Sequence, residues 1–412
     1  MNLLINYYSV ATIRPNMGRA FGSYQTLMHH DHKVADITLD PNGNIVSIRR
    51  IIDRDRMPWG VMTDTDDVLR RLDEWWGYRC IPEKRRHVPH ATDGSNLSTR
   101  RALMASSGAS NLSDHYWIRP ENDDSGWDDV NFYDNDFSED AGLALLGLMD
   151  ASDTNRSPDY STDGVLPKMW RADRTLLKGG TGRCRQQPVN EVIASEIMRR
   201  LGIPHVEYSL EHIGDEPYCS CPTLSSDSVE LIPARCLAHT IRLRDGRTIY
   251  SHFVETCELM DVPDTLEFID RMIAVDHILG NSDRHYNNFT VMRDPHSLEV
   301  LGFAPLFDNG SCLGFESPTK DIPPRSVKGR TFKRNLDDQL RLIRDTGCVD
   351  LSRLDGIESS VRRILSGSRG RIGDERADAV VSMLRHRIDS LQDHLDESPG
   401  FHDDIRDDIP VR

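Results

Sequence analysis

The chain has 412 residues, 38% of them hydrophobic and 28% charged, with a formal net charge of −16. That length accommodates two or three domains of ordinary globular composition. The acidity repels phosphate backbones and argues against nucleic acid as a direct partner. No apolar run reaches the roughly 18 residues of a membrane span, and Met1–Tyr8 lacks the basic start and cleavage site of a signal peptide, so the expected location is the cytoplasm. Eight cysteines are scattered along the chain. Cys219 and Cys221 form a lone C-x-C with no second pair at zinc spacing, which favours reduced thiols over a metal knuckle.

In chain order, Lys33–Leu39 alternates, meets the turn Asp40-Pro41-Asn42-Gly43-Asn44 and returns as Ile45–Ile52, the signature of a β-hairpin. His29, His30 and His32 cluster just before it, but clustered loop histidines are ordinarily solvated, and no metal is assigned to them. Val68–Trp76 predicts a short helix. Arg85–Ser113 is polar and rich in Ser, Thr and Gly and reads as a linker. The acidic stretch Glu121–Asp140 is interleaved with Trp127, Phe132, Tyr133 and Phe137. Those aromatics favour burial against a neighbouring domain over disorder, and the stretch lacks the Asp spacing of a calcium loop.

Thr154–Gly164 is turn-rich and is expected to be a mobile loop. Met169–Leu177 predicts two short strands around an Arg171-Ala172-Asp173 turn. Val189, Ile193, Ile197 and Leu201 recur at helical spacing and predict a helix stopped by Gly202. Val206–Leu210 and Val229–Ile232 predict strands. Asp264 and Glu267 predict a capping box on a helix whose core face is Leu266, Ile269, Ile273, Ile278 and Leu279, ended by Gly280. Leu336–Leu395 is mostly helical. A β-rich half followed by an α-rich half predicts a two-lobed α+β architecture rather than a doubly wound sheet.

The densest chemical signal is Gly280-Asn281-Ser282-Asp283-Arg284-His285-Tyr286-Asn287-Asn288-Phe289. It sits where a buried helix ends and a strand begins, so the helix can hold polar groups rigidly in a cleft. An ionised Asp283 is acceptor-only, as needed to orient a hydroxyl and take its proton. Asn288 offers a neutral carbonyl oxygen to a hard cation. Phe289–Met292 and Leu298–Leu306 predict a second hairpin, with Asn288 opening it and Asp308 following it. Antiparallel strands bring those two ends together. An Asn and an Asp side by side near a third carboxylate suit Mg²⁺ in phosphoryl transfer. Taken singly, each residue reads as a turn or cap; the ordered set favours chemistry.

Gly280–Phe289 and Pro305–Asp308 resemble the catalytic loop and metal-binding segment of the HipA-like serine/threonine kinases. The Asp-Arg-His-x-x-Asn string is also similar to that of phosphatidylinositol kinases. Upstream, Ser161-Thr162-Asp163-Gly164-Val165-Leu166-Pro167-Lys168 resembles the family's phosphate loop, Leu176-Leu177-Lys178 its ATP-lysine strand, and Asn190-Glu191 the start of its next helix. The resemblance covers roughly residues 110–395 and is strongest to stand-alone, CtkA-like members. It implies a protein-kinase-like (HipA-like) fold with a small β-rich N-terminal module and linker at 1–110, a kinase N-lobe at 111–237, a helical C-lobe at 238–395 and a flexible tail at 396–412. Pro167 directly before Lys168 departs from the family pattern, and the loop offers hydroxyls at Ser157, Ser161 and Thr162. In relatives such a hydroxyl can be autophosphorylated, which switches the loop out of the ATP site.

The lysines add an independent argument. Only seven of the 50 basic residues are Lys, at 33, 84, 168, 178, 320, 328 and 333. A compact ammonium fits between phosphates where a forked guanidinium does not, so Lys168 and Lys178 read as chemically constrained. The expectation is an ATP- and Mg²⁺-dependent protein Ser/Thr kinase. Asp283 is the base, His285 braces the loop, and Asn288 and Asp308 hold Mg²⁺. ATP is held by Ser161, Thr162, Asp163, Gly164, Lys168, Lys178, Glu191 (which pairs with Lys178, Glu196 being the alternative) and the hinge strand Glu230–Ala234, with Ile232 and Ala234 at the adenine. The rivals are a lipid or small-molecule kinase, using a basic patch of Lys320, Lys328 and Lys333, and the toxin-like partner of a DNA-binding antitoxin or other regulatory protein.

Overall fold

A computed structural model of the protein describes residues 22–63, 67–85, 100–150, 156–322, 327–397, 401–404 and 408–409. The first predicted hairpin is β2 (His32–Leu39) with β3 (Ile45–Ile51), preceded by β1 (Ser23–His29). Asp40 closes the turn by accepting the backbone N–H groups of Asn42 and Asn44, both at 2.9 Å. Gly43 takes φ +79°, which a side chain would resist. The strand β4 (Tyr116–Pro120), from beyond the supposed linker, covers the open edge of β1 to give the antiparallel order β3-β2-β1-β4. The helix Val68–Tyr78 packs fully buried Leu72 and Trp76 onto this sheet. Each such side chain contributes about 1.5–3 kcal/mol by leaving water.

The span Arg85–Ser113 is more than a linker. Residues 86–99 lie outside the described residues, but Arg100–Ser106 is a helix that buries Ala102, Leu103 and Met104. Its apolar residues, Ala102 to Ala105, run consecutively and so show no helical period. The acidic stretch behaves as its aromatics suggest. Trp127 packs with Trp117 and Met28, while Phe132 and Phe137 pack with Leu112 and Trp170.

A second sheet has the order β5-β6-β8-β7, from β5 (Lys168–Trp170), β6 (Thr175–Gly179), β7 (Ser209–Ile213) and β8 (Glu216–Pro222). The strand expected at Val206–Leu210 starts later, because Val206 instead donates its N–H to the Leu306 carbonyl at 2.9 Å. The helix Gln187–Leu201 packs against β8 and ends in left-handed Gly202 at φ 72°. A third sheet, β9 (Glu230–Pro233), β10 (Thr290–Arg293) and β11 (Val300–Phe303), joins the two halves in the order β11-β10-β9.

The helical half shares one core with the Gln187–Leu201 helix, through residues such as Ile193, Phe253, Ile273, Val361 and Leu384. Its central helix, Thr265–Leu279, does not begin with a capping box. Asp264 adopts φ 53° and its side chain makes no cap hydrogen bond. A left-handed residue aims its carboxylate away from the first turn, and Glu267 pairs with Arg271 at 2.5 Å instead. The described residues of the expected flexible tail are anchored: Lys333 Nζ lies 2.6 Å from Asp403 and 2.7 Å from Asp408. No helix among the described residues is long and apolar enough to cross a membrane. The fold is thus mixed α/β with a β-rich and an α-rich half, and the segments of interest lie where these halves meet.

Candidate functional site

The Thr265–Leu279 helix stops at Gly280, whose φ is +60° and where a Cβ would collide with Met383. The loop that follows is knitted by its own side chains. Asn281 accepts the Asp283 N–H at 3.1 Å, and Asn288 Nδ2 donates to the Asp283 carbonyl at 2.8 Å. That bond commits the amide nitrogen and leaves Asn288 Oδ1 as the amide's acceptor. His285 Nδ1 accepts the Asn287 N–H at 3.2 Å, bracing the loop from within.

Arg284, which the sequence offered only as part of a string, organises the centre. It is 1% exposed. Its guanidinium pairs with buried Asp276 at 3.1 Å and donates to Asn309 Oδ1 at 2.5 Å. Those two bonds use Nη2; Nη1 donates to the carbonyls of both Asn288 and Phe307, each at 2.6 Å. One nitrogen thereby holds together the loop end at Asn288 and the segment carrying Asp308. The hairpin β10–β11 supplies the remaining register, through Val291 opposite Phe303.

Lys178, on β6, reaches Glu191 Oε1 and Asp308 Oδ1, both at 2.5 Å. The other oxygen of Glu191 accepts the Asn309 N–H at 2.7 Å, fixing the carboxylate that holds the lysine. Burial raises the Glu191 carboxyl even against Lys178. Burial would also raise Asp308, but Lys178 and Lys168 hold it well below the usual carboxylate range. Two carboxylates thus share one ammonium, and Asp308 keeps the firmer charge because it feels both lysines and is more open to water. Burial would lower Lys178, yet Asp308 and Glu191 raise it well above the ordinary lysine range. Asp283 lies beside this group. Burial raises its carboxyl, against the pull of His285 and exposed Arg330, whose Nη1 sits 2.5 Å from it.

Lys168 pairs with Lys178 across β5–β6 and donates to the Asp163 carbonyl at 2.7 Å. Burial, then the Arg85 charge, pulls its ammonium down to about 8. Gly164 takes φ +90°, and a Cβ there would collide with Lys168 Nζ. Asp163 Oδ2 accepts from Asn287 Nδ2 at 3.0 Å, linking the Asp163–Gly164 segment to the Asp283 loop.

This segment is not the mobile loop expected for Thr154–Gly164. Residues 151–155 lie outside the described residues; Pro158–Ser161 form a buried 3₁₀ turn. Burial pushes Asp159 up to about 7, and its carboxylate accepts the Trp170 N–H at 2.9 Å. The Ser161 hydroxyl donates to the Arg79 carbonyl at 3.1 Å, and Thr162 Oγ1 accepts from Arg85 at 2.7 Å. Thr162 Oγ1 also donates to the Asp159 carbonyl at 2.9 Å, and Ser161 Oγ accepts from Asn111 Nδ2 at 3.4 Å, so the bonds of these hydroxyls do not run to Lys178 or Asp308. Arg85 also donates to the carbonyls of Thr162, Asp163 and Gly164 at 2.8, 2.6 and 2.7 Å. Its partners lie some 80 residues downstream, and no local pattern marks it.

At the other end, Ile232 pairs with Val291, and the Ala234 N–H is spent on the Phe289 carbonyl at 3.0 Å. Ile232 lies in β9 and Ala234 opens the short helix Ala234–Ala238, whose Arg235 N–H is accepted by the Tyr286 carbonyl of the Asp283 loop at 2.9 Å. Lys333 is 1% exposed and ion-paired, so the supposed basic patch of Lys320, Lys328 and Lys333 loses one member.

The pieces can do specific chemistry. Asp308 and Asn288 Oδ1 are hard oxygen donors of the type Mg²⁺ takes. Two buried ammoniums suit phosphates, and a carboxyl raised by burial suits proton transfer. No protein-family model matches the chain. Over 137 residues it is 31% identical to the serine/threonine-protein kinase CtkA of Helicobacter pylori (strain J99), covering 30% of this chain and 40% of that protein. The chain thus spans well under two thirds of this curated relative. The crystal structure of the H. pylori proinflammatory kinase CtkA aligns at TM-score 0.43 and 19% identity, over 58% of this chain and 93% of that one. HipA from the Shewanella oneidensis MR-1 HipA–HipB–operator DNA complex aligns at TM-score 0.51 and 11% identity, over 94% of this chain and 100% of that one. The fold is similar to that of HipA.

Proposed function

We propose that this chain, which the CtkA likeness and the shared HipA fold support as a HipA-like kinase, is an ATP- and Mg²⁺-dependent protein serine/threonine kinase. The observation that carries this reading is the Lys178 ammonium held 2.5 Å from both Glu191 and Asp308, beside the Asp283–Asn288 loop. Asn288 Oδ1 and Asp308 would hold Mg²⁺, which supplies charge neutralisation at the phosphates. Lys178 and Lys168 bind the phosphates, and the Ser161–Lys168 segment covers them. The Ile232–Ala234 edge faces the adenine. Asp283 accepts the proton of the substrate hydroxyl. That oxygen bonds to the γ-phosphorus as the bond from the γ-phosphorus to the bridging oxygen breaks and ADP leaves. Arg330 must release Asp283 first; its side chain is 58% exposed and free to swing.

In this reading residues 1–110, with the added strand Tyr116–Pro120, form a regulatory or recruiting module. Residues 111–237 form the N-lobe, 238–395 the C-lobe and 396–412 a tail. The Shewanella neighbour is a HipA–HipB–DNA complex, which makes an antitoxin-like or other regulatory protein a candidate partner. A chain of net charge −16 would approach DNA through that partner rather than directly. The eight free cysteines suit a reducing compartment such as the cytoplasm. The test is transfer of labelled phosphate from ATP to protein and to phosphoinositide vesicles, each with an Asp283→Asn control. Label on vesicles and none on protein would overturn the protein-kinase assignment.

Lys178→Arg should lose most activity although the charge is retained. The wider planar group carries its donors on separate nitrogens and does not reproduce a single compact ammonium between two carboxylates, and misplacement of about 1 Å costs roughly a hundredfold. Steady-state kinetics of Lys178→Arg close to those of the native enzyme would show the lysine to be incidental.

The same reading includes autophosphorylation at Ser161. Its hydroxyl is buried, so transfer requires the Pro158–Ser161 turn to come out. A phosphate of about −1.5 to −2 charge could not then return to a site beside buried Asp159. Activity should fall as the phosphate accumulates. Mass spectrometry after incubation with ATP and Mg²⁺, with Asp283→Asn as control, reads this out, and an unmodified 156–168 segment in active protein would rule it out.

A further inference from the structure

Three turns from distant parts of the chain meet away from the lysine–carboxylate centre. One is the His30–Asp31 turn between β1 and β2. The second is the turn closed by the Ser226–Val229 bridge, and the third joins β10 to β11. Each contributes one side chain: His30, Asp227 and His296. One ligand atom from each lies within 4.8 Å of the others.

The spacing is informative. His30 Nε2 is buried without a hydrogen-bond partner, and it stands 3.6 Å from Asp227 Oδ1. That gap is too long for a hydrogen bond, and a buried nitrogen left without one is costly. It does match two ligands of one tetrahedral zinc: at about 2.0–2.2 Å from the metal, they stand roughly 3.4 Å apart. The ring of His296 lies 4.5 Å from that of His30.

The surroundings hold these groups in place. His30 Nδ1 lies 3.0 Å from Asp31 Oδ2, which turns Nε2 toward Asp227. Trp127 Nε1 donates to Asp227 Oδ1 at 2.8 Å, and the Trp127 N–H donates to Asp31 Oδ1 at 2.9 Å. The His296 carbonyl accepts from Arg56 Nη2 at 2.8 Å, so a side chain of the N-terminal module already clasps this turn. Asp227 and His296 are exposed, which gives an ion a path in and room for a water as a further ligand. Two imidazoles and one carboxylate suit a borderline-soft ion rather than Mg²⁺ or Ca²⁺. Of the clustered His29, His30 and His32, only His30 takes part; His29 is spent on Glu230 at 2.9 Å.

We propose that His30, Asp227 and His296 bind a divalent transition-metal ion of the zinc type, which staples the N-terminal sheet to the two halves that carry the candidate site. The proposal does not depend on the kinase reading. The test uses the full chain after chelator treatment. Zn²⁺ is titrated by calorimetry and Co²⁺ by visible absorption, and thermal melting is followed against Zn²⁺ concentration. One equivalent should bind, with tetrahedral-type Co²⁺ bands and a melting temperature that rises with Zn²⁺. His296→Ala and Asp227→Asn change exposed side chains and should leave the far-ultraviolet circular dichroism intact. Each should weaken binding by more than tenfold, since even loss of a ligand's hydrogen-bonding partner costs about 10–100-fold. Asp308→Asn, which alters the other candidate cation site, should retain the equivalent. Absence of stoichiometric binding, binding that survives both His296→Ala and Asp227→Asn, or binding lost with Asp308→Asn would each overturn the assignment.

Discussion

Asp308→Ala will abolish ATP turnover in a protein that still folds. Asp308 Oδ1 sits 2.5 Å from Lys178, and its side chain is 29% exposed, so its loss opens no core cavity. Lys178 keeps Glu191 as a counter-ion. What disappears is the firmest negative charge of the group and an oxygen donor for the proposed Mg²⁺. Loss of charge neutralisation at the phosphates is worth several kcal/mol of barrier, and about 4 kcal/mol corresponds to roughly a thousandfold in rate. Asp308 also stands at φ 58°, where Asn is better tolerated than Ala. Asp308→Asn therefore separates backbone strain from lost charge. Both variants should melt cooperatively and fail in a radiolabelled transfer assay. A folded Asp308→Asn enzyme with native turnover would remove Asp308 from the metal site.

Arg284→Ala should be the most destabilising single change in the Asp283 loop. The guanidinium neutralises buried Asp276 and satisfies Asn309 Oδ1 and the carbonyls of Asn288 and Phe307. Removing one partner of a buried ion pair leaves an uncompensated charge and costs about 3–5 kcal/mol. For a chain of this size, that is a fall in melting temperature of about 4–6 °C. The double variant Asp276→Asn/Arg284→Met removes both charges, so it should melt above Arg284→Ala alone. Denaturant and thermal melts of the set decide the matter. An Arg284→Ala curve that superposes on the native one would show that the pair holds nothing in place.

The misreadings share a cause. The capping box at Asp264 has the right letters at the right spacing, but the left-handed backbone there turns the carboxylate away. Ser161 and Asp159 have the composition of an exposed acidic loop, yet Tyr160 between them is fully buried with Ile81, Leu103, Ala141 and Leu145. Lys333 looks like part of a basic patch until Asp403 and Asp408 fold back onto it. At Asp264 the backbone conformation overrode the letters; at Tyr160 and Lys333 a partner distant in sequence outweighed a local signal.

By itself the sequence determined whatever depends on near neighbours. The hairpin β2–β3 follows from alternation and an Asn-Gly turn, and the helix Gln187–Leu201 from apolar residues at helical spacing with a glycine stop. The loop Gly280–Phe289 and Asp308 at the two ends of a second hairpin likewise follow from turn chemistry and strand pairing. These are local because backbone torsions and side-chain periods act over a few residues. Only the tertiary structure decided which side chains share a space. Arg85 closes on Thr162–Gly164, one nitrogen of Arg284 joins Asn288 to Phe307, Lys178 bridges Glu191 and Asp308, and His30 comes to face Asp227 and His296. Such meetings are set by how the sheets and helices bury their apolar faces against one another. That burial depends on the whole chain at once and leaves no mark on any single segment.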